Sequence, residues 1–363
     1  MRNSKNLFAT TGGVVVVGLA IGLLASLLQH LGNPANMGIC VACFERDIAG
    51  AIGLHRAAIV QYIRPEIIGL VLGSLVAAML SGDFKARGGS APIQRFLLGM
   101  LAIIGALVFL GCPWRALLRL AGGDWNAIVG LFGLAAGIFI GTLFLRNGYS
   151  LGSSNRQPSF SGYVFPLLMV GLLILMLIFP QVPGEDKSGI LFYSLKGPGS
   201  MHAPLLASLG IGLVIGFIAQ RSRFCTMGAL RDLFLFRQTH LLLGVIALVV
   251  AAFAANLALG QFNPGFTGQP VAHDDALWNF SGMLMAGLAF ALAGGCPGRQ
   301  LFMSGEGDSD AAIFALGMIA GAAVSHNFGL ASSGAGAGPN GPIAVGIGMV
   351  ILLIIGFANR KKA

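Results

Sequence analysis

Four cysteines in this 363-residue chain sit in two kinds of element, and each element occurs twice. Gly111-Cys112-Pro113-Trp114-Arg115 returns as Gly295-Cys296-Pro297-Gly298-Arg299. Cys40 precedes Arg46-Asp47 by the same interval that separates Cys225 from Arg231-Asp232. The offsets are 185 for the Cys-to-Arg-Asp element and 184 for Gly-Cys-Pro-x-Arg. Proline suits the first turn of a helix, where its missing N–H costs nothing. Pro113 and Pro297 therefore place Cys112 and Cys296 at or next to a helix N-cap, facing free N–H groups and the positive helix end. Such positions lower a thiol pKa and bind anions. Arg115 and Arg299 add permanent charges able to hold an oxyanion in a forked geometry. Thiol, helix end and guanidinium together suit a small anion containing sulfur or selenium.

The Arg-Asp dipeptides read differently. Adjacent residues on a helix do not face each other. Arg46 is therefore expected to meet Asp232, and Arg231 to meet Asp47, across an axis between the halves, bracing or gating a waist. Cys40-Val-Ala-Cys43 is a CxxC, the pattern of thiol redox sites and of half a zinc site. Gly228 stands where a second copy would need a cysteine, and the histidines are scattered, so no metal site is completed. Cys43 is read as accessory to a path formed by Cys40, Cys112, Cys225 and Cys296. Asp124, Glu306 and Asp308 follow the Gly-Cys-Pro segments and are expected to cap helices. No catalytic residue and no cofactor motif is assigned: neither a Walker loop nor a dinucleotide fingerprint occurs.

The elements holding these residues must lie in a membrane. Hydrophobic residues make up 56% of the chain and charged residues only 10%, against about 25% charged in a soluble domain. Fifty-five glycines and 25 phenylalanines fit close helix packing in lipid. The net charge of +9 reads as basic flanks of membrane spans, not as a nucleic-acid surface. Five cysteines in a chain of this size make no disulfide framework. The first apolar run is read as a retained helix, not a cleaved signal.

Ten spans are predicted, near 12–31, 65–81, 95–111, 126–145, 162–180, 204–220, 240–259, 278–294, 311–330 and 341–358. With the N-terminus inside, the inner segments hold fifteen basic residues and the outer ones seven, the bias expected of cytoplasmic loops. Both termini are then cytoplasmic. Phe44 to Tyr62 is too charged for a lipid-facing span and reads as a re-entrant or interfacial helix. The expected fold is an all-α polytopic membrane protein with two inverted repeats of about five helices each. Re-entrant cysteine-bearing segments from opposite faces form an hourglass. The first repeat has its core in 1–155 and its fifth helix near 162–180; the second covers 181–363; the two form one integrated membrane domain. The loop 146–161 is the best linker between repeats, 181–203 the longest polar exterior segment, and 331–342 a loose Gly-rich connection.

These residues resemble the YeeE/YedE family of bacterial inner-membrane proteins over nearly the whole chain. The stretch Asn33 to Asp47, followed by Arg64-Pro65-Glu66-Ile67-Ile68-Gly69, is similar to the YedE branch, which is associated with selenium metabolism. The YeeE branch takes up thiosulfate through an hourglass-shaped protein in which cysteines on re-entrant loops pass the anion along. The resemblance implies that Cys112 and Cys296 are waist cysteines with Cys40 and Cys225 beside them. It also implies a cytosolic sulfur-carrier protein of the TusA/SirA type as acceptor. Cys43 and the arginines before Cys225 (Arg221, Arg223) depart from the thiosulfate branch. The expected function is a non-enzymatic inner-membrane transporter or channel for a small sulfur or selenium species, a selenium compound first and a thiosulfate-like anion next. A membrane thiol oxidoreductase and a scaffold for a sulfur or selenium carrier are the alternatives.

Overall fold

A computed structural model describes residues 7–360. The terminal charges Arg2, Lys5, Lys361 and Lys362, used above for orientation, lie outside the described residues. The chain is an all-α polytopic membrane protein. Nine helices among the described residues are long and apolar enough to cross a membrane, and the helix Pro65–Ser81 is apolar but shorter.

The helices run in one order twice. In the first half they are α1 Thr11–His30, α2 Val41–Ala51, α3 Pro65–Ser81, α4 Pro92–Phe109, α5 Pro113–Ala121, α6 Asn126–Arg146 and α7 Ser159–Ile178. In the second they are α8 Leu205–Ser222, α9 Thr226–Phe236, α10 His240–Ala258, α11 Ala276–Ala293, α12 Pro297–Gly305, α13 Ser309–Asn327 and α14 Gly341–Ala358. Helices α2, α5, α9 and α12 are the short ones, and each begins just after a cysteine. Packing exchanges the halves: α1 lies on α10 and α3 on α8, while α6 lies on α11 and α4 on α13. The largely buried helices α4 and α11 pack on each other.

Sequence chemistry explains the ends of these helices. Thr10 caps α1 by accepting the Gly13 N–H at 3.1 Å, and Asp275 and Asp308 cap α11 and α13 in the same way. Between α4 and α5 the chain turns at Leu110, with φ +66°; between α11 and α12 it turns at Gly294, with φ +85°. The two positions are 184 residues apart. Glycine adopts this left-handed conformation at no steric cost, and leucine does so only under strain.

Lipid-facing residues follow the helical period. On α14 the exposed apolar side chains are Ile343, Ile347, Val350, Ile354 and Phe357, and Val345, Gly348, Leu352 and Ile355 face inward. Glycines permit the crossings. A Cβ on Gly99 of α4 would strike the Phe314 carbonyl of α13, and one on Gly133 of α6 the Phe280 carbonyl of α11. Backbones this close have no room for a methyl group. Gly99→Ala is expected to lower stability by about 1–3 kcal/mol, as overpacking does, measured as a lower melting temperature in detergent.

Three expectations change. The helix expected from Phe44 to Tyr62 is α2 and ends at Ala51; Gly53, with φ +81°, turns the chain out, and most of 52–64 is irregular. The 331–342 connection is not loose: Ser332 bonds the Leu107 and Val108 carbonyls at the end of α4. The Arg-Asp pairing across the halves is replaced by local pairs, described below. Two two-stranded ribbons pin loops as well. Strand β1 (Arg87–Gly88) pairs with β2 (Asn155–Arg156), and β3 (Lys187–Ser188) with β4 (Leu191–Phe192).

Candidate functional site: paired thiols at four helix ends

Each of the four repeated cysteines occupies the N-cap of a short helix. Cys40 caps α2, and its Sγ accepts the Cys43 N–H at 3.3 Å. Cys225 caps α9 and accepts the Gly228 N–H at 3.2 Å. Cys112 and Cys296 cap α5 and α12, with Pro113 and Pro297 in the first turns. Proline folds the segment this way because its fixed φ suits the first helical position. All five cysteines are free and buried.

The thiols come together as two pairs, each within one half. Cys225 and Cys296 are 3.6 Å apart, sulfur to sulfur, a hydrogen-bonded thiol contact well beyond the ~2.05 Å of a disulfide. Cys40 and Cys112 also lie close enough to influence each other. Each pair thus stands where two helix N-termini converge, a concentration of partial positive charge.

Trp114 carries the first motif onto the second half. It is 2% exposed and packs edge-on against Phe224, the neighbour of Cys225, and at a tilt against Phe302. Gly298 is its counterpart in the second motif, and a Cβ there would lie 3.3 Å from the indole. The two Gly-Cys-Pro-x-Arg segments therefore pack directly on each other, with Trp114 filling the space that Gly298 leaves. Sequence reasoning treated this position as the variable x. The available signal was that it pairs the largest side chain with the smallest.

The two arginines of these motifs differ. Arg299 pairs with Glu306 at 2.9 Å. Arg115 is fully buried and donates to carbonyls: to Leu110, to Val271 at 3.0 Å, and more weakly to Pro270 and Asn36. Its Nη1 also lies 3.8 Å from the Cys43 sulfur. Among the described residues no carboxylate pairs with Arg115, so the cation beside Cys43 is balanced by carbonyl dipoles.

The Arg-Asp elements correct the cross-axis expectation. Arg46 folds back to its own neighbour, with Nη2 2.7 Å from the Asp47 carboxylate. Arg231 does the same with Asp232 at 2.8 Å. The arginine stem is long enough to curl beside the helix, and a buried charge takes the nearest partner, since leaving it unpaired is costly. Arg64 grips the other Asp47 oxygen, at 2.7 Å from its Nη2, and also donates to the Met201 and Pro198 carbonyls. Sequence reasoning missed Arg64 as a partner, because only the fold brings residues 47, 64 and 198–201 together. Elsewhere Arg119 pairs with Asp124 at 2.6 Å, and Arg87 with Asp308 at 2.7 Å. The latter joins the first half to the start of α13. Outside the spanning helices, burial holds the His55, His202 and His273 imidazoles below their usual range.

One face of this arrangement is open. A cavity of about 670 Å³ reaches Cys225 and is lined by Ser222, Arg223, Arg231, Asp232, His240 and Arg299 among others. Cys40, Cys43 and Cys112 are at most 1% exposed. The polar cavity can receive an anion, and the thiols behind it can contact a polarizable atom.

Comparison with known proteins gives a consistent picture. Residues 221–355 match a family described as Sulphur transport, a region holding Cys225, Arg231-Asp232 and the second Gly-Cys-Pro-x-Arg. The chain is 28% identical over 107 residues to the thiosulfate transporter TsuA of Escherichia coli strain K12, covering 30% of each chain. It is 32% identical over 102 residues to the thiosulfate transporter TsuA of Spirochaeta thermophila, covering 27% of this chain and 29% of that one. The chain thus spans less than a third of the length of these relatives.

Proposed function

This chain belongs to the YeeE/YedE sulfur transport family, and from that premise we propose that it moves a small sulfur- or selenium-containing anion across a membrane along its paired thiols. The observation that carries the reading is the Cys225–Cys296 pair, 3.6 Å apart behind an arginine-lined cavity. Arg223, Arg231 and Arg299 would draw the anion in. The thiols would take its terminal sulfur or selenium by weak S–H contacts. Transit needs binding that is favourable but weak and multi-site, so that a substrate leaves as readily as it enters. Two thiol pairs meet that need better than one deep site.

Five long helices in each half reverse the second half relative to the first, which supports inverted repeats and an hourglass with Trp114 at its waist. In the orientation favoured by the basic residues, the open cavity faces the cytoplasm and both termini lie there, in the bacterial inner membrane. The conformation is then open inward and closed outward. The relatives are named thiosulfate transporters, so thiosulfate is proposed first here and a selenium anion second, the reverse of the order expected from sequence. The acceptor that the resemblance implies, a TusA/SirA-type carrier, would collect the anion from this cavity. Roles for Cys40, Cys43 and Cys112 rest on the same reading. No catalytic step is assigned.

The test is uptake into liposomes holding only the purified protein, with labelled thiosulfate and labelled selenite in parallel. The expected result is accumulation of thiosulfate above protein-free liposomes. Uptake of neither label by folded protein would sink the reading.

A further inference from the structure

Glu45 has no counterpart in the thiol arrangement and, among the described residues, no hydrogen-bond partner. It lies on α2, five residues after the capping Cys40, and is 1% exposed. Neither of its carboxylate oxygens has a hydrogen-bond partner. Helix α2 packs against α3, α4, α12, α13 and β4. The charged or titratable side chains on those elements are Glu66 on α3, Arg95 on α4, Arg299 on α12, and Asp310 and His326 on α13. None of them bonds Glu45. Glu66 is held by Asn33 and Ser208, Arg95 by Ser90 and Asp310, and Arg299 by Glu306. His326 meets the His55 ring at a tilt, with centroids 4.5 Å apart. On α2 itself, Arg46 is committed to Asp47.

The fold does not require a carboxyl at this position. The offset of 185 that relates Cys40 to Cys225 relates Glu45 to Leu230 on α9, where an apolar side chain does the packing. An unpartnered buried carboxylate costs several kcal/mol and takes up a proton instead. Glu45 therefore holds a neutral acid on the helix whose N-terminus bears Cys40 and Cys43.

We propose that Glu45 is the proton site that couples this carrier to a pH gradient, taking one proton from outside and releasing it inside with each anion moved. This rests on the transport reading above. Charge balance supplies the reason. A divalent anion beside Arg115 leaves one negative charge in excess, and an ionised Glu45 on the helix that Cys40 caps would add another. The carboxyl is thus protonated while the anion is held near Cys40 and Cys112. It gives up the proton as the anion moves on to Cys225 and Cys296, and the carboxylate is reprotonated from the outer side.

The experiment is cysteine-dependent thiosulfate uptake into liposomes, at symmetric pH and with an inward proton gradient of one unit. One proton per anion raises the accumulation ratio by about tenfold, the ratio of proton activities across one pH unit. Glu45→Gln mimics the neutral acid, and Glu45→Leu copies the second half. Both are expected to take up label at symmetric pH and to lose the response to the gradient. A gradient response that persists in both variants overturns the proposal, as does a wild type indifferent to the gradient; in the latter case the transport reading stands. Absence of cysteine-dependent uptake overturns both. Infrared difference spectra give a readout independent of transport. The wild type should show a protonated-carboxyl band that Glu45→Gln removes, and a band unchanged in the variant overturns the proposal.

Discussion

Cys296→Ala and Cys112→Ala are each expected to cut thiosulfate uptake about tenfold or more, with the protein still folded. Cys296 Sγ is one half of the 3.6 Å contact at the inner end of the proposed path, and Cys112 lies beside Cys40 in the first half. On the proposed reading, removing either sulfur deletes a soft contact for the moving anion. One lost interaction of ordinary hydrogen-bond strength, about 1.4 kcal/mol, is a tenfold change in rate or occupancy. On the proposed path the anion passes both pairs in series, so neither variant is bypassed. Stability should suffer little. Neither sulfur makes a capping hydrogen bond to its own helix, so alanine removes a sulfur atom and leaves the proline-started helix in place. The measurement is initial uptake rate in liposomes, beside the melting temperature of the same preparations. Unimpaired uptake in both variants, with normal melting, would remove the thiols from the path.

Asp47→Asn is expected to destabilise the protein by about 3–5 kcal/mol, the cost of breaking a buried ion pair and leaving charge uncompensated. Asp47 is fully buried and its two oxygens serve two arginines, Arg46 at 2.7 Å and Arg64 at 2.7 Å. Neutralising it leaves two guanidinium groups in a desolvated site. Arg64 also ties the 198–201 segment through two carbonyls, so the loss reaches the loop that leads into α8. The matched substitution in the second half provides the control. The Arg231–Asp232 pair is partly exposed, 33% and 20% for the two side chains. Asp232→Asn should therefore cost only about 0.2–1 kcal/mol, as solvated pairs do. Thermal unfolding of both variants in detergent reads the contrast. Equal losses would show that the first-half cluster is no more critical to stability than its exposed copy.

The long helices were legible because apolar length and turn-forming breaks act locally. Nine of the ten expected spans are helices that meet the length and hydropathy of a crossing, and 65–81 is a shorter apolar helix. The positions of Cys112 and Cys296 as caps were also legible, since Pro113 and Pro297 dictate where each helix starts. The extent of α2 was not. Its charged residues mark the segment as buried in protein, but the helix stops where Gly53 turns the chain, and apolar counting does not register a turn.

Sequence alone determined the duplicated chemistry of this protein: four cysteines at matched helix starts, each with its arginine, set among membrane-length helices. Those features follow from residue type and spacing along one strand of chain. The tertiary structure decided who meets whom. It joined Cys225 to Cys296 within one half, turned Arg46 onto Asp47 and recruited Arg64 from the far side of the loop. It set Trp114 against Gly298 and left Glu45 without a partner. Such contacts depend on how helices distant in sequence cross, and on which buried charge finds the nearest opposite one. Near-identical motifs in the two halves end in different surroundings, because burial and neighbours are properties of the packed whole.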